Sequence, residues 1–377
     1  MKNKYLEITG THFQNKGAEL MMIAIVKHFN DHPEFKCAMQ PWIDKYELRA
    51  KWGLYQKIFY QRFKINWSPL LNLIPEKVRN QFGLVREQDI YALLDASGFL
   101  YSDQWDIERI KRAVLKIKNA KKNGKKVILL PQAFGPFSNP KIRTLVTEAI
   151  NYADLVCARD HESYNNLMDL KSNGNIKMYP DFTNLVKVPK SNLPLFENKT
   201  ACILPNMRML DKASKKTQEN YINFLIYSIE NVIQKNYLPF FLIHETETDR
   251  LVLDLLPKSL VNRCFLITEL DPLSLKGMIG NSSLVIGSRF HGLIGALSQG
   301  VPSIAVGWSH KYPLLFEEYN VAEYIINLEN DSYKNSFDDL ISKIESGETI
   351  EKIKAQQVFL ENKTKEMWVE VHNILKS

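Results

Sequence analysis

Between Leu284 and Tyr312 the chain reads LVIGSRFHGLIGALSQGVPSIAVGWSHKY. A β-like run, LVIG, ends in Ser288-Arg289-Phe290-His291-Gly292, and a helix of small residues, LIGALSQG, follows. Arg289 and His291 therefore leave a strand end together, at the start of a helix whose first N–H groups favour an anion. A guanidinium fork binds two oxygens at once, and an imidazole exchanges protons near neutral pH. Gly292, Gly295 and Ala296 allow this helix to lie close to a sheet or to a ligand. Gly300-Val301-Pro302 then turns into another short strand, whose loop brings His310 and Lys311 to the same sheet edge. An arginine, a histidine and a lysine converging there suit a ligand that carries phosphate or carboxylate groups.

Weaker constellations surround this one. The turn Asn15-Lys16-Gly17-Ala18-Glu19 follows the first strand and opens a helix, so Asn15 and Gly17 are candidate phosphate or sugar contacts. Ser97 and Gly98 lie in a second strand-to-small-residue turn, Leu93–Phe99, and Gln132 in a third, Pro131–Phe137. Arg159-Asp160 follow the strand LVCA and offer a second cation. His244 ends the strand FFLIH and precedes Glu245, Glu247 and Asp249, a spacing that matches no known metal site. No cluster of His, Asp and Glu has ligand spacing, so no metal is expected. Walker A, GxSxG, HExxH and a GxGxxG after the first strand are all absent, which removes weight from NTPase, serine hydrolase, zincin and NAD dehydrogenase readings.

These residues need strand ends to hold them, and the pattern supplies them. Apolar runs at Tyr5–Thr9, Ile90–Leu94, Val127–Pro131, Leu155–Ala158, Ala201–Pro205, Pro239–His244, Leu284–Gly287 and Ser303–Val306 read as buried parallel strands. Helical patterns fall between them, notably Ala18–Asn30 and Asp106–Asn123. The fold class is α/β, with two Rossmann-like domains. Lys187–Thr200, with two prolines and no periodicity, is the expected linker. The expected division is 1–190 for an acceptor-side domain and 200–345 for a donor-side domain, with a final helix over 350–377 that crosses back to the first. A ligand cleft is expected between the domains, at the carboxyl ends of strands.

At 377 residues the chain suits two domains, and 45% hydrophobic with 24% charged residues is a globular composition. Its four cysteines stand alone at wide spacings, which excludes a disulfide scaffold and suits a reducing compartment. Met1-Lys2-Asn3-Lys4-Tyr5 runs into a strand without an apolar h-region, so a cytoplasmic protein is expected. The net charge is +7, and the stretch from Lys45 to Arg86 holds nine basic residues against two acidic ones. With Trp42, Trp52 and Trp67, this 42–86 segment is a candidate for docking on the inner face of an anionic membrane. The bland reading is an insertion that covers the first domain. No nucleic-acid-binding pattern accompanies the charge.

The string SRFHGLIGALSQGVPSIAVGWSHKY, with NKGAEL, PQAFGPF, ARDHES and PDFTNL, resembles the polysaccharide pyruvyl transferase family. The resemblance runs from Tyr5 to about Tyr319 and is most specific in S-R-x-H-x-x-x-x-A-x-x-x-G-x-P. It implies a two-domain, glycosyltransferase-B-like fold. It also implies transfer of the enolpyruvyl group of phosphoenolpyruvate to a sugar as a cyclic ketal, with release of phosphate, in surface or capsular polysaccharide synthesis. By that resemblance Arg289 and His291 are the donor-binding and acid/base pair, flanking Phe290. Arg159 is the second cation and Lys311 an auxiliary one. Asn15, Gly17, Ser97, Gly98, Gln132 and His244 are the acceptor-side candidates. Phosphoenolpyruvate is a co-substrate and no cofactor is implied; the acceptor is a lipid-linked or nucleotide-linked glycan precursor. Two alternatives stand beside this reading: a nucleotide-sugar-dependent glycosyltransferase of the same architecture, and a non-catalytic binder of anionic glycans.

Overall fold

The computed structural model describes residues 3–58, 61–62, 65–66, 73–170, 175–189, 197–243, 248–268, 271–307 and 311–377. The chain forms two compact units: Met1–Val186 with Lys363–Ser377, and Lys187–Asn362. His244, His310, Trp67 and residues 190–196 of the expected linker lie outside the described residues.

The first unit is built on β1 (Lys4–Thr9), β2 (Phe35–Met39), β3 (Tyr55–Lys57), β4 (Gln61–Arg62), β5 (Ile65–Asn66), β6 (Leu84–Val85), β7 (Ile90–Asp95), β8 (Lys126–Gln132), β9 (Leu155–Ala158) and β10 (Ile176–Met178). β4 and β5 pair only with each other, antiparallel. The other eight form one sheet in the order β10-β9-β8-β7-β1-β2-β3-β6, with every pairing parallel. Helices cover both faces, which is why the central strands read as continuous apolar runs rather than alternating ones. The chain builds outward from β1 through β6 and then returns to the opposite side of β1 with β7. Such a reversal opens a crevice at the carboxyl ends of the two strands.

The second unit repeats the plan with β11 (Thr200–Leu204), β12 (Leu238–Leu242), β13 (Phe265–Ile267), β14 (Leu284–Gly287) and β15 (Ser303–Ala305). Its order, β13-β12-β11-β14-β15, is again fully parallel and reverses between β11 and β14. Each unit is a Rossmann-like α/β domain.

The helices follow from periodicity and capping. Asn15 accepts from the N–H groups of Gly17 and Ala18 and starts the helix Lys16–Asn30. Asp106 caps Ile107–Lys122, which buries Ile110, Val114, Ile117 and Ala120 at helical spacing against Leu93 and Val127. The last helix, Glu348–Lys376, puts Ile353 and Leu360 into the core of the second unit. Farther on it buries Met367, Trp368, Val371 and Leu375, in the stretch that belongs to the first unit. There the carbonyl of Leu375 accepts from Lys4 Nζ at 3.3 Å and Tyr91 Oη at 2.8 Å.

Every apolar run read as a strand is one, with ends shifted by a residue or two. Missed were β2, β3, β4, β5, β6, β10 and β13, which are short or lie toward sheet edges; Phe265 and Leu266 of β13 are even exposed. The basic segment is less of a solvated face than its charge suggests. Arg49 donates to the carbonyls of Ile43 and Asp44 and to Gln56, Arg79 donates to the Ile74 carbonyl, and Arg86 pairs with Asp89. Lys57 is buried and paired with Glu7 and Glu87, so it is not part of a membrane-facing surface. Among the described residues, no helix is long and apolar enough to cross a membrane.

Candidate functional site

At the chain reversal of the second unit, β14 ends at Gly287 and the helix Phe290–Leu297 begins three residues later. Three polar side chains hold the turn. Ser288 is fully buried, and its Oγ lies 2.8 Å from the Tyr221 hydroxyl. Its carbonyl accepts from Tyr312 Oη at 2.8 Å and from the amide of Asn206, the second residue after β11. The Asn206 N–H in turn donates to Tyr221 Oη at 3.0 Å. Burial pushes the Tyr221 hydroxyl up to about 12, so it keeps its proton within this network. A Cβ on Gly287 or Gly292 would stand 2.6 or 2.7 Å from Leu204 side-chain carbons, so both glycines are needed for the turn to press against β11.

This scaffold places Arg289 at the N-cap in extended backbone, and its side chain makes no capping bond to the first turn. The guanidinium, 12% exposed, instead pairs through Nη2 with Asp249, a fully buried carboxylate that also accepts from the Met207 N–H at 3.1 Å. Lys311 sits with its Nζ 5.0 Å from the Phe290 ring centre and 5.6 Å from that of Tyr312. The Phe290 and His291 rings are 5.7 Å apart, edge to face. Arg289, Phe290, His291 and Lys311 thus share the carboxyl ends of β14 and β15. Asp249, Asn206, Tyr221 and Tyr312 support them and were not singled out for that role from sequence. The asparagine just past a strand, in LPNMR, was the available signal.

The first unit has its own cavity, about 470 Å³, at the reversal between β1 and β7. Thr9, Gly10, Thr11, Asp95 and Ser97 line its floor, with Gln40 and Trp42 on one side and Trp105, Arg109, Arg112 and Lys116 on the other. Asp95 accepts from the Ser97 N–H and hydroxyl through Oδ1 and from Tyr101 Oη through Oδ2, which fixes the turn carrying Ser97 and Gly98. Gly10, at φ +81°, is needed there: a Cβ would stand 2.1 Å from Ser97 Oγ. Beneath the floor, Glu7 is 2% exposed and bonded to Lys57 at 3.1 Å, Lys116 at 2.7 Å and the Gln40 amide at 3.0 Å. Burial alone would raise its carboxyl, but Lys116 and Lys57 overcome this and hold it below its ordinary value. Arg109 stacks its guanidinium 4.1 Å from the Trp105 ring centre. Residues 109, 112 and 116 share one face of a helix, a spacing legible in the sequence as a basic stripe.

A sequence profile of the family described as polysaccharide pyruvyl transferase matches residues 15–310. The chain belongs to that family. Among curated proteins none matches significantly. Solved structures are similar in fold. The Anabaena protein HepE, in complex with UDP and glucose, is 12% identical with a TM-score of 0.61, covering 100% of both chains. The UDP-GlcNAc 2-epimerase from Neisseria meningitidis, bound to UDP-GlcNAc, is 14% identical with a TM-score of 0.60, again over 100% of both. UGT2 of Phytolacca americana, complexed with UDP-2-fluoro-glucose and pterostilbene, is 8% identical with a TM-score of 0.56, over 99% of this chain and 100% of that one. The likeness shows a glycosyltransferase-B-like fold of two Rossmann-like domains.

The remaining described candidates of this pyruvyl transferase family member fall in the first unit. Asn15 and Gly17 are engaged in their own helix cap. Arg159 is 6% exposed and lies 3.5 Å from Asp181, not beside Asp160, which caps its own helix. The Arg159 N–H donates to the Gln132 carbonyl at 3.0 Å, and the Asn184 N–H to that of Asp181 at 3.2 Å. Gln132 and Asn184 are 0% and 3% exposed, and neither side-chain amide has a hydrogen-bond partner. Buried amides in that state are uncommon. No His, Asp and Glu cluster showed ligand spacing in the sequence, yet the fold gathers His28, His32 and His372, whose ligand atoms all lie within 4.8 Å of one another. Residue 372 is too far along the chain for spacing to have revealed it.

Proposed function

We propose that this protein transfers the enolpyruvyl group of phosphoenolpyruvate to a sugar as a cyclic ketal, in the synthesis of a surface polysaccharide. Membership of the family supports the reaction class. The observation that carries the reading is the Arg289–Phe290–His291 turn, held by buried bonds at the chain reversal of the second unit with Lys311 beside it. The donor carries a phosphate and a carboxylate. The planar guanidinium fork matches such oxygens in shape and charge, and Asp249 fixes its orientation. Arg289 and Lys311 bind the donor's oxygens, with the first-turn N–H groups of the helix Phe290–Leu297 aiding an anion there.

His291 gives a proton to the methylene carbon, C3, which leaves C2 as an oxocarbenium-like electrophile. One sugar hydroxyl adds to C2 and the C2–O bond to phosphate breaks. A second hydroxyl then closes the ring on C2. Of the two hydroxyl protons, one returns to His291 and the other departs with phosphate, so the histidine ends as it began. On the acceptor side, the cavity of the first unit offers indole faces for a sugar ring and Arg109, Arg112 and Lys116 for a phosphate-linked precursor. Arg159, Gln132 and Asn184 are further polar contacts.

The second reading, a nucleotide-sugar glycosyltransferase, draws on neighbours solved with UDP, which share the fold. Calorimetric titration separates the two. Phosphoenolpyruvate should bind and UDP-sugars should not, and inorganic phosphate should appear from phosphoenolpyruvate only when a sugar acceptor is added. Binding of UDP-sugars with no response to phosphoenolpyruvate would replace the first reading with the second.

A further inference from the structure

Two histidines four apart, His28 in the last turn of the helix Lys16–Asn30 and His32 just past it, meet His372 from the last helix. All three belong to the first unit. His28 Nε2 lies 2.9 Å from His372 Nε2, and the ligand nitrogens of the three rings are all within 4.8 Å of one another. The rings are held there by packing. His28 stacks on Trp368 at 3.9 Å and 10°, and His32 and His372 have ring centres 4.2 Å apart. Phe29 and Phe35, both buried, pack against His372 at 5.6 and 6.0 Å.

Chemistry makes this grouping specific. A neutral imidazole has one N–H and one lone pair. One proton can bridge only two nitrogens, whereas three converging nitrogens are matched by a metal ion. Zn–N bonds of about 2.0–2.1 Å in a tetrahedron set nitrogens roughly 3.4 Å apart, between the 2.9 Å contact and the 4.8 Å limit seen here. Imidazole-only donors suit a borderline transition ion and not the oxygen-seeking Ca²⁺ or Mg²⁺. The rings are part-exposed, which leaves room for water as a fourth ligand.

We propose that His28, His32 and His372 form a three-histidine Zn²⁺ site that ties the last helix to the first helix of the same unit. None of the three belongs to the donor or acceptor residues above, so the ion is structural and pyruvyl transfer does not pass through it. The proposal does not depend on that activity.

The test uses untagged full-length protein, stripped with EDTA, dialysed and titrated with ZnCl₂ by calorimetry, with bound metal measured by elemental analysis. About one Zn²⁺ per chain should bind, and the thermal midpoint should rise by several degrees with Zn²⁺ and return with chelator. His32→Ala and His372→Ala should each weaken binding by at least about tenfold. His28→Phe keeps a ring to stack on Trp368 while removing the nitrogens, and should bind as weakly. Each variant's midpoint in EDTA, compared with that of the parent in EDTA, reports whether it still folds. Failure of the parent to bind Zn²⁺, or binding by folded His32→Ala and His28→Phe variants as tight as the parent's, overturns the site.

Discussion

Arg289 carries two duties that its position in the sequence does not separate. It points a guanidinium at the strand ends where a donor's oxygens would lie, and it neutralises Asp249, which has no exposure to water. The pairing with buried Asp249 ties this strand-end arginine to the fold as well as to the site. Arg289→Ala should cost about 3–5 kcal/mol of stability, because it takes the guanidinium away from a buried carboxylate. Arg289→Lys should keep most of the stability, since a cation remains near Asp249, yet bind phosphoenolpyruvate roughly 10–100-fold more weakly for want of the fork. Denaturant melts and calorimetry on the two variants check this; parental affinity in Arg289→Lys would remove Arg289 from the donor site. His291 differs, since its ring packs edge-on to Phe290 at the rim of the turn. His291→Ala should lose about 10²–10⁴ in turnover with a smaller change in donor affinity. Near-parental turnover would leave His291 as a contact only. Arg289 and His291 were legible because a strand that ends in polar residues before a small-residue helix is a local pattern. Asp249 was not, because its pairing is made across 40 residues of chain by the fold alone.

At the scale of elements, what reads well is what is buried on both faces. β1, β7, β8, β9, β11, β12 and β14 are apolar runs, and β14 with its following helix gives the proposed donor residues their place. The cavity of the first unit was less legible because its parts come from separated stretches: Gln40 and Trp42 after β2, Ser97 after β7, and Arg109, Arg112 and Lys116 along a helix. Glu7 makes this concrete, being a carboxylate inside an apolar strand that no local pattern explains. Lys57 and Lys116, arriving from two other elements, account for it. Their pull holds the Glu7 carboxyl below its ordinary 4.5 in the folded chain. A depressed carboxyl stabilises the fold above its unfolded value and loses that contribution as pH falls through the folded one. The parent should therefore weaken progressively below about pH 4.5, the window set by that shift. Glu7→Gln should cost about 3–5 kcal/mol at neutral pH, through uncompensated Lys57 and Lys116, and should show a flatter pH dependence below that window. Urea midpoints measured between acid and neutral pH decide it; equal slopes in parent and variant would show that Glu7 is not the group responsible.

At the scale of the whole molecule, the last helix serves both units, and this sets how much of the chain the first unit needs. Its final stretch, Lys363–Ser377, belongs to that unit and buries Met367, Trp368, Val371 and Leu375 to 4% exposure or less. Each such side chain contributes about 1.5–3 kcal/mol by burial, so the four together amount to roughly 6–12 kcal/mol. A domain's whole margin is about 5–15 kcal/mol, so a chain ending at Asn362 should leave the first unit without a stable fold. The truncation also removes His372, and with it the proposed ion. The second unit retains Ile353 and Leu360 from the same helix, so its core is left intact. Hydrogen exchange reads the two units separately within one chain. Amides of β1, β7 and β8 should exchange rapidly after truncation, while those of β11 and β14 keep their protection. Leu375→Ala, a milder change at a fully buried position, should cost about 2–5 kcal/mol and lower the protection of the first unit without abolishing it. Parental protection of β1 and β7 in the truncated chain would mean that this stretch rests on a unit already stable without it.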